Sequence, residues 1–430
     1  VGTVKATSPS HVPSVLLTAP TELIVRRSDY GVSGMDEQRR ALREGRIKLP
    51  MVGCVERAES AAPYVVVVEG AEVPPISSFL SSLVVSDVSP LTVRSYAHDL
   101  LRWWKVLAVL GVPWDRATRE DVEAMVGWMR SAANPQRRRS AQSVSEPGSV
   151  NLKTGKRVLS AGYAPATINH ALTVVYGFYE HHLLYGHGPL VNPVPASPDR
   201  RRIQQNSPLN PGPRLRRAPM RQKQPQRAPR SIPETAWVAL FAAMTYDRDR
   251  ALLEFAVSSG ARASELLGMC GKHVDWGDHR IWVVSKGTRE LTAVPASPDA
   301  FDLLARYFDR CGTPRPNDQI WRTLRGRSRP LTYWALRRVM QRANDELGTN
   351  WTFHDIRHTA ATRMAKDPQL TLPEVQTILR HRHLSTTETY LLPRVEELHE
   401  KMQEHYTRPR PAATFATGYS AEDIATVFGG

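Results

Sequence analysis

The chain has 430 residues, 41% of them hydrophobic, and a formal net charge of +15 at pH 7. That apolar content supports packed cores and excludes wholesale disorder, and the length exceeds one typical core and points to two or three domains. A positive surplus with a pI near 10.0 points to a polyanionic partner, nucleic acid before a membrane surface.

Cys54, Cys270 and Cys311 are too few and too far apart for a disulfide framework or a zinc pattern, which fits a reducing cytosol. No charged-then-apolar segment opens the chain, and apolar runs such as Val65–Val68 are far too short to span a bilayer. The expected location is cytoplasmic and nucleoid-associated, with no membrane partner.

Residues 1–75 form an N-terminal extension that reads either as an accessory DNA-binding module or as plain decoration. Within it, the stretch from Met35 predicts a short charged helix stopped by Gly45, and Tyr64–Glu69 predicts a buried strand before a turn at Gly70. Residues 76–195 predict an all-helical domain. Its first clear helix opens with Ser89 as N-cap and Pro90 at the first helical position, with Leu91, Tyr96, Leu100 and Trp103 or Trp104 expected on one buried face. A second starts near Ala117–Val122 and runs through Met125 and Trp128, and another spans Ala164 to Tyr185. Residues from Arg137 to about 160 are polar and basic and predict a solvated loop.

Residues 196–230 are a basic linker. Between Arg200 and Arg230 there is no acidic residue and no hydrophobic period, so this segment lacks the apolar surface needed to fold. Arg200, Arg201, Arg202, Arg216 and Arg217, with Arg94 upstream, are candidate DNA-backbone contacts, since each neutralised phosphate adds salt-dependent affinity. The second domain, 231–400, opens at Ser231 and Glu234, spaced as a capping box. Helices are expected through Phe241, over Asp249–Ser258, from Gly260, over Phe301–Phe308 and over Thr332–Leu347. Arg280–Ser285 and Glu290–Val294 predict a hairpin with Lys286 at its tip. Residues 401–430 are a tail whose Ser420-to-Phe428 stretch reads either as a docking helix or as a frayed end.

The chemistry concentrates near the end of this second domain. Thr352 and Asp355 predict a helix cap, which places His354 and Arg357 three apart on one face. Thr371 and Glu374 predict another capped helix that ends at His381, and Ser385 and Glu388 a third that carries Tyr390. Each of these alone reads as structural. Together they offer a fixed cation for anionic oxygens, imidazoles for proton traffic and a phenol as nucleophile. His381-Arg-His383 lacks a third ligand at sensible spacing, so no metal is expected.

Arg262 with Glu265, Lys286 on a hairpin, His354-x-x-Arg357, His381 and Tyr390, in that order, resemble the catalytic set of the tyrosine recombinases, the phage integrase family. The resemblance covers roughly residues 76–400. It implies a fold that is mainly α with a small β-sheet or hairpin in the catalytic domain, and a helical, SAM-like core-binding domain completing a clamp on DNA. It implies Arg262 and Arg357 on the non-bridging oxygens of the scissile phosphate and Lys286 as general acid. It implies His354 as general base, a hydrogen bond from His381 to the phosphate, and Tyr390 as nucleophile, with Glu265 and Asp355 in support. The implied activity is site-specific DNA recombination through a 3′-phosphotyrosine and a Holliday junction, as in the integrase of a mobile element, with no cofactor. A homotetramer on specific DNA sites and an accessory bending or directionality protein are implied as partners. Relaxation of the type IB topoisomerase kind and a non-catalytic DNA-binding relative are the alternatives. Two departures stand out: Arg380 occupies the position where the family usually has Gly, and is itself a candidate DNA contact, and the 133–160 loop is longer than the family norm.

Overall fold

A computed structural model describes residues 32–133, 146, 148–158, 162–196, 217–224, 230–285, 289–381, 387, 402–407, 422 and 426. The chain divides into two compact units, 1–149 with 157–225, and 150–156 with 226–430.

The first unit comprises α1 (Val32–Arg43), an antiparallel sheet of β1 (Cys54–Arg57), β2 (Tyr64–Val68) and β3 (Ala71–Glu72), then α2 (Pro74–Val85), α3 (Pro90–Leu110), α4 (Arg119–Ser131) and α5 (Pro165–Leu184). The described part of 32–75 has no core of its own. Leu42, Ala62, Val66 and Val73 are buried in one cluster with Leu100, Trp103, Met125 and Phe178 from the helices. Helix α3 starts as expected: Ser89 Oγ accepts the Thr92 amide N–H, Pro90 follows, and Gly111 closes it in the left-handed conformation. Its buried stripe is Val93, Ala97, Leu100, Trp103 and Leu107, the three-and-four spacing of one helical face. Leu91, expected on that stripe, is 72% exposed because it sits in the first turn, off that face. Trp103 Nε1 donates to Tyr179 Oη at 3.0 Å, and that hydroxyl donates to the Trp114 carbonyl at 2.9 Å, so the polar tips of two core aromatics are satisfied inside.

The segment expected to be a loop up to about 160 contains a two-stranded hairpin, β4 (Val150–Asn151) and β5 (Lys156–Arg157). Its turn has a local cause. Asn151 Oδ1 accepts the amides of Lys153 at 3.0 Å and Thr154 at 3.2 Å, and Gly155 takes φ +61°. Residues 150–156 of this hairpin belong to the second unit, although they lie in sequence between helices of the first.

The second unit contains α6 (Glu234–Ala242), α7 (Asp247–Ser259), α8 (Ala263–Leu267), the sheet of β6 (Val274–Asp275), β7 (Arg280–Val284) and β8 (Leu291–Pro295), α9 (Pro298–Cys311), α10 (Tyr333–Leu347), α11 (Phe353–Lys366) and α12 (Leu372–Leu379). The expected hairpin is present: β7 and β8 pair antiparallel from Arg280 opposite Pro295 to Val284 opposite Leu291. Helix α7 is central, with Leu252, Phe255 and Ala256 fully buried among Leu304, Trp321, Leu336 and Ile356. Ser231, expected as N-cap, lies two residues before the one observed. Pro233 is the N-cap of α6, and the Glu234 carboxylate pairs with Arg363 on α11 at 2.6 Å. Among the described residues no helix is long and apolar enough to cross a membrane.

Candidate phosphate-binding active site

Helix α11 carries the central pair. Thr352 is its N-cap, with its Oγ1 bonded to the Asp355 amide and its own amide donating to Asp355 Oδ2 at 2.8 Å, so the expected box forms. Asp355, Ile356 and Arg357 are buried, and His354 lies on the open side. The helix is pinned from beneath, because Thr359 Oγ1 takes the buried Ile232 amide at 2.7 Å and donates to the Asp355 carbonyl at 2.8 Å.

Arg357 gathers the site. Its guanidinium donates to the carbonyls of Gly260 and Leu379, two residues before Arg262 and two before His381. One side chain thereby ties the end of α7, the end of α12 and the middle of α11 to a common point. The fit is close: a Cβ built on Gly260, which sits at φ +61°, would lie 2.6 Å from a Leu379 methyl. Arg262 is the N-cap of α8. Its amide donates to Glu265 Oε2 at 2.8 Å and its guanidinium to Glu265 Oε1 at 2.7 Å, so Glu265 braces both backbone and charge.

Arg380 explains how a large side chain is accepted beside His381. It ends α12 in the left-handed conformation with φ +53°, the backbone that favours glycine. Its guanidinium folds back onto Glu265 Oε2 at 2.7 Å and the Ile378 carbonyl at 2.7 Å, leaving the side chain 7% exposed. The expectation that Arg380 contacts DNA therefore gives way to an inward role, with its charge committed to the carboxylate that also holds Arg262. Burial raises the Glu265 carboxyl, but Arg380, the Arg262 amide and the Arg262 guanidinium outweigh it and hold the pKa below the usual range.

The imidazoles are tuned toward neutrality. Burial, then the Arg357, Arg262 and Arg380 charges and His358, push His381 down to about 4. Its Nδ1 lies 2.9 Å from Thr387 Oγ1. His354 is lowered first by the partial desolvation of its otherwise open ring, with Asp355 opposing and Arg357, Lys156 and Arg262 reinforcing. His358, one turn on, stacks edge-on at 4.2 Å from His354 and is pushed down to about 4, first by burial and then by His354. A neutral His354 can accept a proton, and a neutral His381 can donate one hydrogen bond.

The structure therefore brings Arg262, Glu265, His354, Asp355, Arg357 and His381 together within the second unit. Lys286 and Tyr390 lie outside the described residues, as do the Ser385–Glu388 cap, Arg200, Arg201, Arg202 and Arg216. Arg94 is exposed with its guanidinium 5.8 Å from the Tyr64 ring centroid, and Arg217 is exposed. Sequence reasoning missed Lys156, whose Nζ lies 2.6 Å from Asp355 Oδ2; nothing in its neighbourhood marks it. It also missed His358, which the spacing of four from His354 could have flagged. A cavity of about 550 Å³ lined by Tyr246, Arg248, Arg325, Arg338 and Arg342 includes none of the site residues. Among the described residues no group of His, Cys, Asp and Glu is arranged to hold a metal.

The sequence pattern of the phage integrase family matches residues 231–397, and that of the phage integrase N-terminal SAM-like domain matches 76–145. The chain belongs to the phage integrase family. The family match spans the cluster just described, and the SAM-like match covers α2, α3 and α4. Tyrosine recombinase XerD of Pseudomonas aeruginosa is 33% identical over 188 residues, 40% of this chain and 61% of that protein. Tyrosine recombinase XerC of Pseudomonas entomophila is 33% identical over 33% of this chain and 47% of that one. The chain thus spans about half to three-fifths of the length of the curated relatives it matches. Among solved structures, a lambda integrase (75–356) dimer bound to a COC′ core site matches with TM-score 0.49 and 15% identity, over 75% of this chain and 96% of that one.

Proposed function

We propose that this phage integrase family member is a site-specific tyrosine recombinase, the integrase of a mobile element. The observation that carries the reading is the Arg357 node, which holds the Arg262 and His381 segments around the His354 helix. Two guanidiniums whose charges both reach His354 and His381 suit the non-bridging oxygens of a scissile phosphate and the added charge of its pentacoordinate transition state. His354, lowered in pKa, takes the Tyr390 proton as general base. A free phenol titrates at about 10, and in the proposed complex the guanidiniums on the phosphate favour the phenolate. Attack by Tyr390 on phosphorus breaks the bond to the 5′ oxygen, which leaves with a proton from Lys286. The resulting 3′-phosphotyrosine conserves the ester for attack by a second 5′ hydroxyl. The proposal includes strand exchange in pairs through a Holliday junction, by a homotetramer on specific duplex sites with an accessory DNA-bending or directionality protein. Residues 76–195, the basic 196–230 linker and 231–400 serve as core-binding domain, tether and catalytic domain.

The test is covalent trapping. Full-length protein is incubated with a pool of nicked duplexes of randomised sequence, in which cleavage releases a short strand and prevents religation. The wild type yields a DNA adduct on a denaturing gel, and Tyr390→Phe yields none. An adduct of equal intensity with Tyr390→Phe would refute the assignment of the nucleophile.

A further inference from the structure

The hairpin of residues 150–157 meets the turn between α10 and α11 through polar contacts at both helix ends. Lys153 Nζ donates to the Leu347 carbonyl at 2.6 Å, and Asn151 Nδ2 to the Gly348 carbonyl at 3.1 Å, so a cation sits at the negative end of α10. Thr154 Oγ1 donates to Asn350 Oδ1 at 2.6 Å, and Arg230 holds the Thr154 carbonyl at 3.2 Å. At the other helix end Lys156 Nζ donates to the Asn350 carbonyl at 3.3 Å and to Asp355 Oδ2 at 2.6 Å. That carboxylate oxygen already takes the Thr352 amide and hydroxyl, the latter at 2.6 Å. Asp355 is buried and adjoins His354 in sequence, whereas the Lys156 side chain is 30% exposed.

We infer that the 150–157 hairpin is a positioning strut for the active-site helix, in which Lys156 acts through Asp355 on His354. The inference rests on His354 being the proton acceptor proposed above, and extends the site to a segment that lies over a hundred residues upstream of Arg262. Two effects are combined in one side chain. The bridge fixes the first turn of α11, from which His354 projects. It also balances the Asp355 charge, which would otherwise favour a protonated imidazole. The charges facing His354 are Asp355, Arg357 and His358 on its own helix, Lys156 from β5, and Arg262 at the start of α8. Lys156 opposes Asp355 among them, so removing it raises the proton affinity of His354 and moves the acidic limb of the reaction upward in pH.

The decisive experiment titrates His354 in the full-length protein by histidine-selective nitrogen-15 NMR, assigned with His354→Gln, and measures trapping rates on the recovered nicked duplex across pH. Lys156→Met should shift the His354 titration to higher pH, slow cleavage by about tenfold through misplacement of the helix, and raise the acidic limb. Lys156→Arg should restore both, and Asp355→Asn should shift His354 the other way. Thermal melts identify any variant that fails to fold, and Thr154→Val then loosens the strut while leaving the ion pair in place. Unchanged titration in Lys156→Met overturns the inference, as does slow cleavage that Lys156→Arg fails to rescue. A wild type that traps no DNA would refute the proposed function instead, with the titration still deciding the role of Lys156.

Discussion

Replacing Arg380 separates a backbone effect from an electrostatic one. With φ at +53° a residue carrying a Cβ is strained by about 1 kcal/mol relative to glycine. Against this stand bonds to Glu265 and the Ile378 carbonyl, each 2.7 Å; a hydrogen bond involving a charged group contributes about 1.5–3 kcal/mol. Removing one partner of a buried ion pair typically costs about 3–5 kcal/mol, because it strands the other charge. Here Glu265 is not stranded, since the amide and guanidinium of Arg262 remain on it. Among the described residues the buried Arg380 Nε has no hydrogen-bond partner, and relief of that atom and of the cation's desolvation offsets more of the loss. The net expectation is about 1–2 kcal/mol lost in Arg380→Ala and about 1 kcal/mol less in Arg380→Gly. Urea titration and thermal melting of the full-length variants read the difference, in which 1 kcal/mol corresponds to about 2–4 °C for a unit of this size. Arg380→Ala as stable as Arg380→Gly, or more so, would refute the backbone argument. A loss of about 4 kcal/mol in both would mean that Arg262 does not sustain Glu265 alone.

Gly260→Ala should destabilise the second unit by about 1–3 kcal/mol, because it adds a Cβ in the left-handed conformation against Leu379 and displaces the carbonyl that Arg357 holds; a melting point equal to wild type counts against the Arg357 node. His358 and His381, each near 4 in the folded protein and about 6.5 unfolded, make the unfolded chain the stronger proton binder between those values. Their contribution is complete above about pH 6.5 and declines as pH falls toward 4. Denaturation midpoints measured across that window should fall on acidification, and less steeply in a His358→Gln, His381→Gln double variant; identical slopes would contradict the lowered values. The loss of trapping in Tyr390→Phe and the titration shift in Lys156→Met complete the set.

Local rules in the sequence determined most elements. Ser89-Pro90, Thr352 with Asp355, and Thr371 with Glu374 start helices where the structure has them, because a cap depends on residues only three apart. The pairing of β7 with β8 was legible because it too joins residues close in sequence. The order of Arg262, Lys286, His354, Arg357, His381 and Tyr390 suggests phosphate chemistry, and Arg357, by joining Gly260 to Leu379, accounts for how the segments of Arg262 and His381 meet.

Tertiary structure decided what depends on partners distant in sequence. Ser231 and Glu234 have the spacing of a cap, yet Glu234 pairs with Arg363, and a local rule cannot anticipate a cation 129 positions away. Arg380 read as a bulky intrusion and a DNA contact; only the placement of Glu265 turns it inward. Leu91 read as core by type and was left outside by the phase of its helix. The polar, basic stretch before residue 160 read as solvated because its apolar content is low, and low apolar content does not exclude docking through hydrogen bonds. Lys156 was one lysine among many in a strongly basic chain until the fold set it against Asp355, since charge is visible in a sequence and its partner is not.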